Sequence, residues 1–479
     1  MDPTFLSATQ LADLVRSKKI GALELLDHYI GRVERLDPKI NAVVVRDFDR
    51  ARTRARTLDD KADKSAPLFG VPMTTKESFD IAGLPTTRGH AAMKDTPVRV
   101  STIAVRRLEA AGAVVFGKTN VPVDLADWQS YNPVYGTTSN PWNADHTPGG
   151  SSGGSAAALA AGLTGFEIGT DIGGSIRVPA HYCGVFGHKP TFGLLPNYGD
   201  PATSSAAGGA DISVMGPMAR SASDLAAGLD ILAGPDPDET GLTVTLPTPR
   251  FTGLKDLRAA VWAEQPGQVT DSETSAQLLE LADALERQGV TVSRTARPAF
   301  DATEAYHLYL QLLDCAWSSR LSDDVVANKV ARAAALPDNA KSADDVMVRM
   351  AELTHRKWLG LNEKRFQWRR LWSAFFRDWD VLLCPVIASA ALPHRQDGPT
   401  WERRITIDGK DIAYNDMLFW PGLTGGYHLP GTVAPLGMTK AGLPLGVQIA
   451  GPIHGDRTTI AVAALLEQAW LGFKPPPGW

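Results

Sequence analysis

Two clusters near the middle of this 479-residue chain set reactive hydroxyls among glycines. Residues 149–155 read GGSSGGS, and residues 170–177 read TDIGGSIR. Glycine weakens helices and strands, so such runs persist where backbone must take positive φ, approach another group closely, or point N–H groups into a cavity. Between the clusters, Ala156 to Leu163 is rich in alanine and has high helix propensity. The layout predicted is loop, helix, strand, loop. A Gly-rich loop opening a helix can also cradle phosphate, but no Lys-Ser or Lys-Thr follows at the Walker spacing and no dinucleotide fingerprint is present. Gly149 to Gly153 also fits the G-x-S-x-G pattern of a nucleophile elbow. That elbow needs an apolar strand running straight into it, whereas residues 138–148, TSNPWNADHTP, read as turns.

A serine hydroxyl is a poor nucleophile at neutral pH and needs a base within hydrogen-bond reach. His181 and His188 follow the second cluster, in segments that read as structural. A lysine can serve when burial keeps it uncharged. Lys76 follows what reads as a short buried strand, Leu68 to Met73, with small polar neighbours at Thr74, Thr75 and Ser78. Taken together, these residues suggest a serine-serine-lysine arrangement, and here the chain resembles the amidase signature family. The resemblance rests on GVPMTTKESFDIAGLPTT, GGSSGGS, GTDIGGSIRVPAHYCGVFGHKPT and the later LPLGVQIAGP. The spacings agree with the family's pattern, 75 positions from Lys76 to Ser151 and 24 from Ser151 to Ser175. It runs from about residue 5 to 235 and from 375 to 470.

The resemblance implies an α/β amidase-signature fold, a large central twisted mixed sheet covered by helices on both faces. It implies one domain over residues 1–479, with a variable helical, Trp-rich segment at about 297–420. By the same resemblance Ser175 is the nucleophile, Ser151 the bridging serine after a cis peptide, and Lys76 the base. The N–H groups of Ile172, Gly173, Gly174 and Ser175 would form the oxyanion hole, with Ser152, Ser155, Asp171 and Arg177 bracing the site. The implied reaction is acyl transfer to Ser175, loss of an amine, and hydrolysis of the acyl-enzyme, on small-molecule amides, anilides and aryl carbamates (urethanes). It requires no metal and no organic cofactor. A monomer or homodimer is expected.

The elements that must position these groups follow the αβ rhythm of a doubly wound sheet. Ser7 to Gln10 is a capping-box pattern opening a short amphipathic helix, and a second helix runs from about Leu23 to Leu36. Strands are expected at Val43–Val45, Ala113–Phe116, Leu257–Trp262, Val290–Val292, Val381–Pro385 and Gly446–Pro452. Helices are expected at Thr102–Ala111, Thr270–Gln288 and Thr458–Leu471, with one near Asp224 capped by Ser221 or Ser223. Residues 193–218 are rich in Gly, Ser, Ala and Pro, and residues 235–250 read as a turn-rich connection. In the family, the loop after the Ala113 strand lies beside the substrate pocket, which makes Trp128, Gln129 and Tyr131 pocket candidates. Trp128 fits a core position equally. The tryptophans of the interval from about Arg297 to Trp420 read as helix packing, with Phe419 and Trp420 kept as candidates for an aromatic pocket cover.

Net charge is −5 with a pI near 6.1, and the basic residues are scattered, so no nucleic-acid footprint is visible. The densest basic run, Arg50 to Arg56, reads as a solvated helix face. Three widely spaced cysteines, Cys183, Cys315 and Cys384, fit free thiols in a reducing compartment. The N-terminal segment has no basic and apolar leader pattern, and no stretch reaches membrane-spanning length, so a cytoplasmic protein without membrane contact is expected. Two rivals remain. One is the glutamine-amidase subunit of a tRNA-dependent amidotransferase; the other is an inactive binding protein on the same scaffold, for which retaining Lys76, Ser151 and Ser175 would have no use.

Overall fold

The computed structural model describes residues 2–196, 208–236, 241–318 and 321–479. Parts of two stretches read from the sequence, 197–207 in the Gly/Ser-rich run and 237–240 in the turn-rich connection, lie outside the described residues. The largest sheet has eight strands. In spatial order they are Thr291–Ser293, Arg258–Val261, Val381–Pro385, Pro444–Ala450, Gly431–Met438, Phe186–Lys189, Val214–Ala219 and Glu167–Asp171. The first three run parallel and each later pairing is antiparallel, which makes the sheet mixed. Successive strand side chains point to opposite faces. Every residue of Val214–Ala219 and Pro444–Ala450 is buried, so helices cover both faces, as the family resemblance implies.

A second sheet of three strands orders Val43–Arg46, Val114–Thr119 and Pro72–Lys76, with Val114–Thr119 central. Its Pro72–Lys76 strand lies against Glu167–Asp171 at the end of the large sheet. The two sheets therefore meet where Lys76 and the second Gly-Ser cluster stand.

Local signals were accurate at most element ends. Ser7 and Gln10 form the reciprocal capping box of helix Ala8–Arg16. Ser221 caps helix Ala222–Leu232, which begins two residues before the expected start. The strand expected at Leu68–Met73 is instead Pro72–Lys76, so Lys76 is its last residue. The alanine-rich helix begins inside the glycines, as Gly153–Ala160. Its glycines serve contact rather than turning: a Cβ on Gly154 would collide with the Asn120 backbone. The Trp-rich interval carries helices Ala302–Ser318, Asp323–Ala335, Ala343–Val348 and His355–Asp378, then an unanticipated hairpin of Arg404–Ile407 and Lys410–Ala413. Trp368 and Trp372 pack on Phe300, the helix-packing role expected of them. Among the described residues, no helix is long and apolar enough to cross a membrane.

Candidate active site

Lys76 ends a strand whose five residues are all buried, and its own side chain has no exposed surface. Its Nζ lies 2.6 Å from Ser151 Oγ and 2.7 Å from Thr170 Oγ1. Burial holds this amine well below the ordinary lysine range; Asp171 draws it partly back up and Arg88 pushes it down. Ser151 sits in the turn ahead of helix Gly153–Ala160, and the Gly150-Ser151 peptide is cis.

Ser175 stands in the turn between strand Glu167–Asp171 and helix Arg177–Cys183, 5% exposed. The Ser152 N–H donates to the Ser175 carbonyl at 3.1 Å and so clamps the two serine loops together. Asp171 organises the turn. Its Oδ1 accepts from the Gly174 N–H at 2.9 Å, and its Oδ2 from the Ile176 and Arg177 N–H groups at 3.1 and 3.3 Å. The Arg177 guanidinium adds bonds from Nη2 to Oδ1 at 2.7 Å and from Nε to Oδ2 at 3.0 Å. Burial alone would raise this carboxyl, but the Arg177 charge and these hydrogen bonds bring it down to about 2.

Those bonds bear on the expected donor set. Across a trans peptide, C=O and the following N–H point in opposite directions. The Ile172 carbonyl accepts from the Tyr309 hydroxyl at 3.2 Å, and the Gly173 carbonyl from Trp128 Nε1 at 3.0 Å. The Gly173 N–H therefore faces away from Tyr309. The Gly174 N–H, one of the four donors expected from the resemblance, is bonded to Asp171. Gly174 itself has φ +101°, a region that favours glycine.

Beside Ser175 lies a cavity of about 180 Å³, bounded by Ile172 and Gly173 on one side and by Trp128, Leu313, Trp317, Met347, Tyr414 and Leu418 elsewhere. Two carboxylates border it, and each has an ion-pair partner, although Asp314 Oδ2 has no hydrogen-bond partner among the described residues. Asp127 pairs with Arg403 Nη1 at 2.6 Å and accepts from the Tyr414 hydroxyl at 2.8 Å; Asp314 pairs with Lys329 at 2.5 Å. A second chamber of about 360 Å³ adjoins it, sharing Asp314, Trp317, Met347, Thr400 and Asn415.

Of the pocket candidates, Trp128 borders the cavity and the other four lie outside its lining. Gln129 is 1% exposed and exchanges two hydrogen bonds with the Arg395 backbone. The Tyr131 hydroxyl accepts from Arg403 Nη2 at 2.7 Å. Phe419 and Trp420 turn into the core against Trp262, and Trp420 Nε1 donates to Thr270 Oγ1 at 2.9 Å. Their neighbour Leu418, the last residue of the 3-10 turn Tyr414–Leu418 that precedes helix Phe419–Gly425, borders the cavity instead. Ser152 and Ser155 bond to Thr170 O at 3.4 Å and Thr119 Oγ1 at 2.8 Å. His181 bonds to the Ser389 and Gly446 backbones, and His188 to Thr432 and Asp456, so both belong to buried structural networks. Sequence reasoning passed over Thr170, Tyr309 and Leu313, and it read Trp317 as helix packing where the structure sets it on the cavity wall. Thr170 had a usable signal, a hydroxyl one residue before Asp171; the other three sit in the interval where no family motif could be aligned.

The family profile for "Amidase" matches residues 24–460. An acylamidase of Rhodococcus erythropolis is 32% identical over 492 aligned positions, covering 98% of this chain and 97% of the relative. A glutamyl-tRNA(Gln) amidotransferase subunit from Bacillus velezensis is also 32% identical, covering 98% of each chain. Among solved structures, a bacterial aryl acylamidase of the amidase signature enzymes superposes with a TM-score of 0.82 at 25% identity over the full length of both chains. The chain belongs to the amidase signature family and is a hydrolase of carbon-nitrogen bonds in non-peptide amides.

Proposed function

We propose that Ser175 is the nucleophile, Ser151 the proton bridge and Lys76 the base, acting on amides whose acyl or amine part is a compact aryl or apolar group. The observation that carries the relay is the fully buried amine of Lys76 2.6 Å from Ser151 Oγ. An uncharged amine offers a lone pair to the Ser151 proton while its own N–H groups bond to Thr170. Ser151 Oγ takes the proton of Ser175 Oγ as that oxygen attacks the substrate carbonyl. Negative charge on the carbonyl oxygen falls to the N–H groups of Ile172, Gly173 and Ser175, held ready by Asp171, Tyr309 and Trp128. The proton returns through Ser151 to the leaving nitrogen, the C–N bond breaks, and the amine departs. Water then opens the ester on Ser175 by the same relay, freeing the acid.

Size and lining support the substrate class. An apolar cavity of about 150 Å³ takes up benzene, and the chamber beside Ser175 offers about 180 Å³ between Trp128, Leu313, Trp317 and Leu418. Aryl carbamates present the same carbonyl-nitrogen bond, and we extend the proposal to them. The glutaminase reading draws on the amidotransferase relative, but glutamine carries an ammonium and a carboxylate that need ionic partners. Asp127 and Asp314 already hold Arg403 and Lys329. We further propose one domain, since Arg177 bonds to Pro421, Thr424 and Gln448. The proposed cytoplasmic location is supported by three unpaired cysteines, and a monomer or homodimer by a site assembled within one chain.

The test is intact mass and peptide mapping after incubation with a slowly hydrolysed aryl carbamate and, separately, an anilide. An adduct on Ser175, absent from Ser175→Ala, is expected. An adduct on Ser151 or Ser152, or full activity of Ser175→Ala, would sink the assignment.

A further inference from the structure

Glu167 opens the strand that ends at Asp171 and has no exposed surface. A carboxylate so placed ordinarily needs a cation or several N–H donors. This one has a single N–H donor, the Ile168 backbone, and is otherwise surrounded by hydroxyls. Its Oε1 accepts from the Thr74 hydroxyl, and its Oε2 has no hydrogen-bond partner among the described residues. The hydroxyls of Ser155 and Thr119 also face it.

Charged side chains on the surrounding elements are spoken for. Lys76 bonds to Ser151 and Thr170, and Lys118 to Pro85 O and Thr86 Oγ1. Arg220, just beyond the neighbouring strand, donates from Nη1 and Nη2 to the Leu159, Thr164 and Leu6 carbonyls, with only its Nε left without a hydrogen-bond partner among the described residues, and Asp171 pairs with Arg177. Burial accordingly pushes the Glu167 carboxyl up to about 8, with the hydroxyls and the Ile168 N–H drawing it partly down. At neutral pH it is an acid whose O–H is free to donate to Ser155 or Thr119.

The hydroxyls around it belong to the elements that hold the relay. Thr74 and Lys76 are two residues apart on one strand and share a face. Thr119 pairs in register with Lys76, and its hydroxyl donates at 3.2 Å to the carbonyl of Thr75, the residue before Lys76. Ser155 lies in the first turn of the helix behind Ser151 and Ser152.

We propose that Glu167 is a positioning residue of the Lys76-Ser151 relay: its neutral carboxyl ties the strand of Lys76 to the helix behind Ser151, and ionisation at alkaline pH breaks that arrangement. On losing its proton to solvent the carboxylate can only accept. It draws the Thr119 and Ser155 hydroxyls toward itself, which frees the Thr75 carbonyl, and its charge favours the ammonium form of Lys76, which cannot act as base. Glu167 touches no substrate, and the proposal rests on the reading of Lys76 as the base.

The test compares the full-length wild type with Glu167→Gln, which keeps shape and an acceptor oxygen but cannot ionise. Acylation by an anilide is followed from pH 6 to 10. The wild-type kcat is expected to fall above about pH 8, while that of E167Q, normalised to its own value at pH 7, stays flat past pH 9 with KM unmoved. Thermal unfolding supplies a second readout. A carboxyl raised in the folded state binds a proton that the unfolded chain has released, so wild type should lose stability as pH climbs from 4.5 toward 8. E167Q should gain on it by several degrees over that window. Coincident alkaline limbs, or a stability difference independent of pH, would overturn the proposal. If Lys76→Met still acylated normally, the relay would be at fault, and the unfolding readout would still report whether Glu167 is the buried acid.

Discussion

Asp171→Asn should disable the enzyme by disarming the turn that aims Ser175. Oδ1 accepts two donors, the Gly174 N–H and Arg177 Nη2; Oδ2 accepts three, from the Ile176 and Arg177 backbones and Arg177 Nε. The asparagine oxygen will take the position with three donors. Its NH2 then faces the Gly174 N–H and Nη2, donor against donor, and Arg177 loses its counter-ion in a fully buried site. Removing one partner of a buried ion pair costs about 3–5 kcal/mol. Part of this is pH-linked with a definite sign. The carboxyl falls from 3.8 unfolded to about 2 folded, a difference worth about 2 kcal/mol. That stabilisation is fully present above pH 4 and is lost as pH falls toward 2. Urea unfolding at pH 7, 5 and 3.5 should show the two proteins equally far apart at the first two values and closer at the third. Because the Gly174 peptide is freed to rotate, kcat for an anilide should drop by about two orders of magnitude or more, on the scale of a lost oxyanion donor. An Asn variant that unfolds with wild type at pH 7 and keeps a tenth of its activity would refute the reasoning.

Two further predictions concern the same site. Lys76→Met removes the amine at Ser151 and should slow acylation about 10²–10⁴-fold. In wild type the rate should rise with pH through the lowered lysine value, since only the free amine accepts a proton, and a rate plateau reached far below pH 10.5 is the diagnostic. Trp128→Phe deletes the bond from Nε1 to the Gly173 carbonyl. At about 0.5–1.5 kcal/mol for that bond, kcat should fall roughly two- to tenfold, with an unchanged kcat counting against Trp128 as a brace.

What the sequence disclosed was local. Ser151, Ser175 and Lys76 stand in short motifs whose glycines have direct structural causes, and the structure brings Lys76 to Ser151 from 75 residues away. Strand and helix limits were legible because caps and apolar runs act over a few residues. The direction of a peptide was not: four glycine-rich N–H groups look alike in a sequence, and only the Asp171 contact singles out Gly174. Nor was the cavity wall. Leu418 borders the cavity while Phe419 and Trp420 face the core, a distinction of one residue. Tyr309 and Trp317 share a helix whose apolar residues serve both core and cavity, and periodicity gives no sign of which face meets which.

The remote LPLGVQIAGP segment fits the same physics. Arg177 has no exposed surface, and a guanidinium taken out of water must have its N–H groups met or the charge costs several kcal/mol. Asp171 takes Nε and Nη2, which leaves Nη1 to partners outside the serine loops. That nitrogen bonds to the Pro421 carbonyl at 2.8 Å, Thr424 Oγ1 at 2.6 Å and Gln448 Oε1 at 2.7 Å. Gln448 lies within that segment and its amide nitrogen is itself held by the Trp420 carbonyl at 3.1 Å. The turn that presents Ser175 is therefore fixed through Arg177 by residues about 245 to 270 positions later in the chain. A change at Gln448 should consequently disturb Ser175, with no hydrogen bond joining the two among the described residues, because the buried charge between them tolerates no missing acceptor.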